Sequence, residues 1–265
     1  MSFLIDTHAH LDFPELFSRL DEVLRNAKEF NVLKIISIST NLNRIQNIIN
    51  ISKMYPEIFF SVGVHPNEVL KDKNFCNYEL MLKLSKDLKC VAIGECGLDY
   101  HFGNEDKDKQ KNSFISQINV SRDTGLPLVI HSRDADDDMI EILQREYKNG
   151  HFKAVLHCFS SGINLAKCGI DLGFFISFSG IVTFKSAKLI QEIASFVPND
   201  QILVETDSPY LSPVPLRGKV NEPKNCYYTA KFIAEIRNVN FDEFILQLYN
   251  NSLKMFNKLL KCPKN

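Results

Sequence analysis

The chain has no excess of either charge. Its 31 Lys and Arg residues nearly balance 32 Asp and Glu residues, for a formal net charge of −1. There is therefore no global basic field to draw in a polyanion, and a phosphate-bearing ligand must be attracted locally, by bound cations and a few Arg and Lys side chains. The chain also lacks a C-x-x-C pair. Its seven cysteines, Cys76, Cys90, Cys96, Cys158, Cys168, Cys226 and Cys262, are scattered and odd in number. Reduced thiols in a cytoplasmic protein are the expectation. No apolar run approaches the roughly 18 residues that would suggest a membrane span. The start, Met1-Ser-Phe-Leu-Ile-Asp-Thr-His8, has no basic segment and no cleavage pattern, so no secretory leader and no membrane partner are expected. Internal repeats, low-complexity tracts and linkers are missing too.

What is present is an ordinary globular composition, 45% hydrophobic and 24% charged over 265 residues. That length can bury one large core. Apolar, β-branched runs recur at Phe3–Ile5, Lys34–Ile38, Phe59–Val64, Val91–Ile93, Leu128–Ile130, Ala154–Leu156, Phe174–Phe178 and Ile202–Val204, eight candidate strands in all. Helical spacing lies between them. Leu16, Leu20, Val23, Leu24 and Ala27 form one stripe. Phe114, Ile115 and Ile118 form another, stopped by Gly125 and Pro127. Phe241, Phe244, Ile245, Leu248, Tyr249, Leu253, Phe256 and Leu260 mark a long last helix. Eight strands alternating with helices predict a single-domain α/β protein spanning residues 1–265, a TIM-type (β/α)8 barrel.

Several of these runs end in side chains that bind metals. They lead to His8 and His10, to Glu95, to His131, to His157, and to Glu205 and Asp207. These candidates come from strands one, four, five, six and eight, which a closed ring brings together and an open sheet does not. His8 and His10 are two apart on a strand and so share a face, with Asp6 in phase behind them. Glu95 has two oxygens and can bridge two cations. Imidazoles and carboxylates in this number suit a pair of divalent cations, with Mg, Mn or Zn all compatible. Asp207 is expected to be the remaining ligand or to orient the attacking water. Glu205 is expected to hydrogen-bond a ligand histidine from behind, although the two roles could be exchanged.

Around this set, His65 in Gly63-Val-His65-Pro66 is expected to contact a substrate phosphate or donate a proton. Arg133 is expected to face the substrate, steadied by Asp134. The long irregular stretch 208–223 leaves strand eight, where barrels often place a phosphate site. It offers Arg217 and Lys219 as phosphate contacts. Cys96 and Cys158 adjoin ligands in sequence, but strand alternation should turn both away from the site and into the core. Tyr100 and Tyr210, next to the site segments, are expected to pack in the core or as walls, with stacking on a base as the alternative.

Taken together, the chain resembles the TatD family of metal-dependent deoxyribonucleases. The matching stretches are Asp6-Thr-His8-Ala-His10, Gly63-Val-His65-Pro66, Ile93-Gly-Glu95-Cys-Gly97-Leu98-Asp99-Tyr100, Ile130-His131-Ser132-Arg133-Asp134-Ala135, His157-Cys158-Phe159-Ser160, Glu205-Thr-Asp207-Ser208-Pro209-Tyr210-Leu211 and Arg217-Gly-Lys-Val-Asn221-Glu222-Pro223. They follow the family's order over nearly the whole chain. One departure is visible: Ser160-Ser161-Gly162 stands where the family has Ser-Gly directly after the His-Cys-Phe segment, which should alter the loop after strand six.

The resemblance implies a TIM-type barrel and hydrolysis of phosphodiester bonds. It implies one cation on His8, His10, Glu95 and Asp207, and a second on Glu95, His131 and His157. The expected activity is therefore a nuclease acting on DNA, exonucleolytic with single strands preferred, in which two cations activate water and Asp207 and Glu95 are catalytic. A monomer is the expected form. The alternatives are a metal-dependent hydrolase of small amides or esters, including aminoacyl-tRNA esters, and a non-enzymatic scaffold. The acyl hydrolases with a similar His-x-His start often carry a bridging Lys on strand four, where this chain has Glu95.

Overall fold

Each of the eight apolar runs forms a strand, because β-branched and aromatic side chains fit a pleated surface buried on both faces. In the computed structural model, which describes residues 3–69, 71, 77–101 and 106–260, the strands are β1 (Leu4–Ala9), β2 (Val32–Ser37), β3 (Ile58–Val62), β4 (Cys90–Asp99), β5 (Leu128–Arg133), β6 (Ala154–Leu156), β7 (Phe175–Phe178) and β8 (Ile202–Val204). Neighbours pair in chain order and all are parallel. The ring nearly closes: Ala9 bridges to Ser208, and the Thr7 hydroxyl donates to the Val204 carbonyl at 3.0 Å. This is the expected TIM-type barrel.

Helices fill the outside: α1 (Pro14–Phe17), α2 (Leu20–Glu29), α3 (Ile45–Met54), α4 (Tyr78–Leu84), α5 (Lys107–Thr124), α6 (Asp136–Asn149), α7 (Ile163–Asp171), α8 (Lys188–Phe196), α9 (Cys226–Arg237) and α10 (Phe241–Met255). The α5 helix stops at Gly125, whose φ of 68° gives the left-handed cap that glycine adopts without strain. Among the described residues, no helix is long and apolar enough to cross a membrane. Cys76 and Cys262 lie outside the described residues.

Strand alternation divides the apolar residues into two cores. One lies between strands and helices, and includes Val62, Ile93, Ile130, Leu156 and Val204. The other lies inside the barrel, with at least one residue from every strand, among them Ile5, Ile36, Phe59, Val91, Val129, Val155, Phe175 and Leu203. Met255, Phe256 and Leu259 join this inner cluster and close its floor.

Three expectations need correction. The last helix ends at Met255, not near Leu260, because Phe256 leaves helical geometry to bury its ring in the floor; Asn257–Leu260 then form a 3-10 turn. Leu16 belongs to α1, separate from the buried stripe of α2, although all five stripe residues are buried. Strand β4 runs to Asp99, well past Ile93, because it keeps pairing with β5 as far as Asp99 beside Arg133. Gly97 permits that close approach: a Cβ there would sit 2.0 Å from the His131 carbonyl oxygen.

Candidate metal centre

The opposite end of the barrel is polar. Strand ends and the segments just beyond them bring His8 (β1), His10 (after β1), Glu95 (β4), His131 (β5), His157 (after β6) and Asp207 (after β8) to one point. Four of the six are buried, with His8 fully enclosed, and His131 and Asp207 are partly buried. Glu95 stands at the centre and faces different groups with each oxygen. Its Oε2 lies 3.4 Å from His8 Nε2 and 3.9 Å from His10 Nε2. Asp207 Oδ1 completes that side, 3.6 Å from His8 Nε2 and 3.3 Å from His10 Nε2. Glu95 Oε1 lies 2.9 Å from His131 Nδ1 and 2.8 Å from His157 Nε2, and those two nitrogens are 3.4 Å apart.

These separations test whether cations fit. Donors about 2.1 Å from a tetrahedral ion lie roughly 3.4 Å from one another. On the first side the four nitrogen–oxygen separations, 3.3 to 3.9 Å, are close to that spacing. The second is tighter at Glu95 Oε1, where protons on the imidazoles make ordinary hydrogen bonds. Among the described residues, neither ring nitrogen of His8 has a hydrogen-bond partner, although the residue is fully buried. A buried imidazole costs free energy unless something satisfies it, and a cation would.

The backs of the rings are set for the same purpose. His10 Nδ1 lies 3.3 Å from the Ile38 carbonyl oxygen, which can only accept, so Nδ1 carries the proton and Nε2 offers a lone pair to the centre. His157 Nδ1 faces Glu205 Oε1 at 3.2 Å. Glu205 is itself fixed by the Cys158 N–H at 2.7 Å and the Ser177 hydroxyl at 2.6 Å. His131 Nε2 stands 3.3 Å from Asp99 Oδ2. An acceptor behind a ring and the centre in front is the arrangement of ligating histidines.

His65 is oriented the other way. Its Nε2 lies 3.4 Å from Glu95 Oε1, close enough to group with Glu95 and His131. However, its Nδ1 accepts the Asn67 N–H at 3.1 Å. The proton of the neutral ring is therefore on Nε2, and His65 points a donor, not a lone pair, at the centre.

Charge follows geometry. Burial pushes the Glu95 carboxyl up, but His157, His65 and His131 outweigh it and hold it well below the usual carboxylate range. Burial pushes the His157 ring down, but Glu95 and Glu205 reverse this and hold it well above its ordinary value. Burial and the neighbouring His157 lower His8. Asp207 is lowered: burial opposes ionisation, but the hydrogen bond to His10 and the charges of His8 and His10 prevail. Asp6 does not touch the ring of His8. Its carboxyl ties β1 to the end of β8, accepting the backbone N–H groups of Thr206 and His8 at 2.9 and 3.3 Å and meeting the Thr206 hydroxyl at 2.6 Å. Burial raises it to about 8.

The chain can now be compared with known proteins. Residues 5–257 match the family model described as TatD related DNase. The chain belongs to the TatD family. It is 40% identical to an uncharacterized metal-dependent hydrolase of Buchnera aphidicola subsp. Baizongia pistaciae, with 96% of each chain covered. It is 37% identical to the uncharacterized metal-dependent hydrolase YabD of Bacillus subtilis, with 96% of this chain and 98% of the relative covered. Among solved structures, the TatD homologue YJJV of Escherichia coli superimposes with a TM-score of 0.87 at 27% identity, covering 96% of this chain and 98% of the other.

In this TatD-family chain a cavity of about 800 Å³ opens over the cluster. Its lining includes the polar Asn67, Glu68, Lys71, Ser132, Arg133 and Ser160, and also Phe13, Ile181, Tyr210 and Leu211. Arg133 lines the cavity, and Asp134 pairs with His101 at 2.8 Å. Arg217 and Lys219 do not line the cavity. The Arg217 guanidinium packs over the Phe184 ring at 4.0 Å, and Lys219 is exposed. Cys158 corrects a further expectation: it lines the cavity, whereas Cys96 is buried in the core. Strand alternation does not govern Cys158, because β6 has ended at Leu156 and its φ is 44°.

Asp99 and Lys71 escaped the sequence reading as site residues. Asp99 lies four residues after Glu95 on what proved to be the same strand, an even spacing that would have put it on the same face. Lys71 carried no comparable signal: it lines the cavity from outside the strands, where residue spacing says nothing.

Proposed function

We propose that this TatD-family hydrolase cleaves phosphodiester bonds of DNA, working from the end of a single strand. One cation would sit on His8, His10, Glu95 and Asp207, and a second on Glu95, His131 and His157. The observation that carries the reading is Glu95, one carboxylate turning an oxygen to each of two buried ligand groups. Mg, Mn and Zn all accept this set of nitrogen and oxygen donors. Bound cations would neutralise charge developing on phosphorus and lower the pKa of water.

The protein's own groups supply the rest. Asp207, held ionised beside His8 and His10, accepts the proton of the attacking water. His65 donates from Nε2 to a phosphate or leaving oxygen, its tautomer pinned by the Asn67 N–H. Arg133 and Lys71 reach the cavity and hold phosphate oxygens. Arg217 and Lys219 lie outside and would meet only a longer strand. A cavity of about 800 Å³ falls in the range that encloses a small-molecule-sized group, so it suits a strand end better than the side of a duplex.

The test is timed digestion of end-labelled single- and double-stranded oligonucleotides under a series of divalent cations, with acyl esters and amides run beside them. Metal-dependent shortening from one end of single strands is the expected result. Turnover of acyl substrates with intact oligonucleotides would reject the nuclease reading.

A further inference from the structure

One face of the cavity is aromatic, and it begins at a candidate ligand. The Phe13 ring stacks on His10 with centroids 4.8 Å apart and planes 21° apart. Tyr210 meets Phe13 edge-on at 6.1 Å. Phe13 is already engaged on its other contacts: the Arg44 guanidinium lies 5.2 Å from its centroid, held there by Asp12 at 3.0 Å. Tyr210 is the ring with area to offer, since it is 53% exposed although it lines the cavity.

The loop that carries Tyr210 is fixed. The fully buried Asn221 side chain donates to the carbonyls of Thr206 at 2.9 Å and Tyr210 at 2.6 Å, bracketing Asp207. The Tyr210 N–H donates to the Asp207 carbonyl at 3.0 Å. Gly180 packs beneath the following residue, where a Cβ would lie 2.0 Å from the Leu211 carbonyl oxygen. The same clamp therefore sets the candidate ligand Asp207 and the exposed ring in one rigid piece. The cationic and hydroxyl groups come from elsewhere: Ser132 and Arg133 from the end of β5, Lys71 and Ser160 from outside the strands.

We propose that Tyr210, backed by Phe13, is a stacking shelf for the unpaired base of the terminal nucleotide, while Arg133 and Lys71 take the phosphates. The inference rests on the nuclease reading. It gives single-strand preference a physical cause, because a paired base cannot lay its face on a side chain. Any base has a π-face, so the shelf is tolerant of sequence.

Wild type, Tyr210→Ala and Tyr210→Phe are compared on single-stranded oligonucleotides that end, at the digested end, in either a normal or an abasic nucleotide. In wild type and Tyr210→Phe, removing the base raises KM about 5- to 100-fold, the range of one base–aromatic stack. Tyr210→Ala starts with a KM raised by a similar factor and loses less than about twofold more on the abasic substrate, with kcat retained. A terminal 2-aminopurine is quenched on binding to wild type and not on binding to Tyr210→Ala. Full discrimination between the two ends in Tyr210→Ala, or an unchanged KM, overturns the shelf while leaving the nuclease reading intact. Failure of wild type to cleave either oligonucleotide overturns the nuclease reading and the shelf with it.

Discussion

The two ends of this barrel are built from the same strands and do opposite things. At the floor, Ile5, Phe59, Val91, Val129 and Phe175 meet Phe256 and Leu259 in an apolar plug. At the mouth, the continuations of strands β1, β4, β5, β6 and β8 carry imidazoles and carboxylates. The floor gains free energy from burial alone, about 1.5–3 kcal/mol for each large side chain. The mouth spends free energy holding buried ionisable groups together, and recovers it only through mutual charge pairing or a bound cation. Stability and function are thus separated along the barrel axis, and each end can be attacked without the other.

The largest separation should come from Glu95→Ala. It removes the oxygen from both ligand groups, so metal-dependent turnover should fall about 10³-fold or more while circular dichroism and the unfolding transition persist. Full activity in that variant would contradict the site. At the other end, Phe256→Ala should cost about 3–5 kcal/mol in denaturant unfolding and leave kcat/KM unchanged in the folded fraction. A loss of activity without loss of stability would break the division between floor and mouth.

Smaller effects sharpen the same comparison. Glu205→Gln weakens the hold on His157 Nδ1, and should lower cation affinity about 10- to 100-fold by calorimetry, with little change in stability. Protons compete at the mouth. In the metal-free protein His157 is held protonated above its ordinary 6.5, so its charge stabilises the fold fully below that value and fades as pH rises through the raised one. A cation must displace that proton. Its affinity should therefore rise with pH, with proton release visible as a buffer-dependent heat; affinity independent of pH would argue against His157 as a ligand. The smallest effect is expected from Arg217→Ala. Its guanidinium stacks on Phe184 outside the cavity, so KM for a short oligonucleotide should change less than in Arg133→Ala.

Much of this was legible from spacing. The eight apolar runs became the eight strands, because a strand buried on both faces must be apolar along its length. His8, His10, Glu95, His131, His157 and Asp207 were visible because each follows such a run. Residues on loops farther from these runs were not legible. The sequence favoured Arg217 and Lys219 as phosphate contacts because they sit on a long loop after β8, yet that loop turns them away. It overlooked Lys71, which lines the cavity. It placed Cys158 in the core by an alternation rule that ends where β6 ends.

The amino-acid order by itself determined the alternation of strands and helices and the kinds of side chain at each strand end, since both are set by local pattern. Tertiary structure alone decided which nitrogen of each histidine faces the centre, because that depends on what stands behind the ring: the Ile38 carbonyl for His10, Glu205 for His157, Asp99 for His131, and an N–H for His65. Those partners lie up to 48 residues away in the chain. A hydrogen bond across that distance is written in the packing and not in the neighbouring sequence.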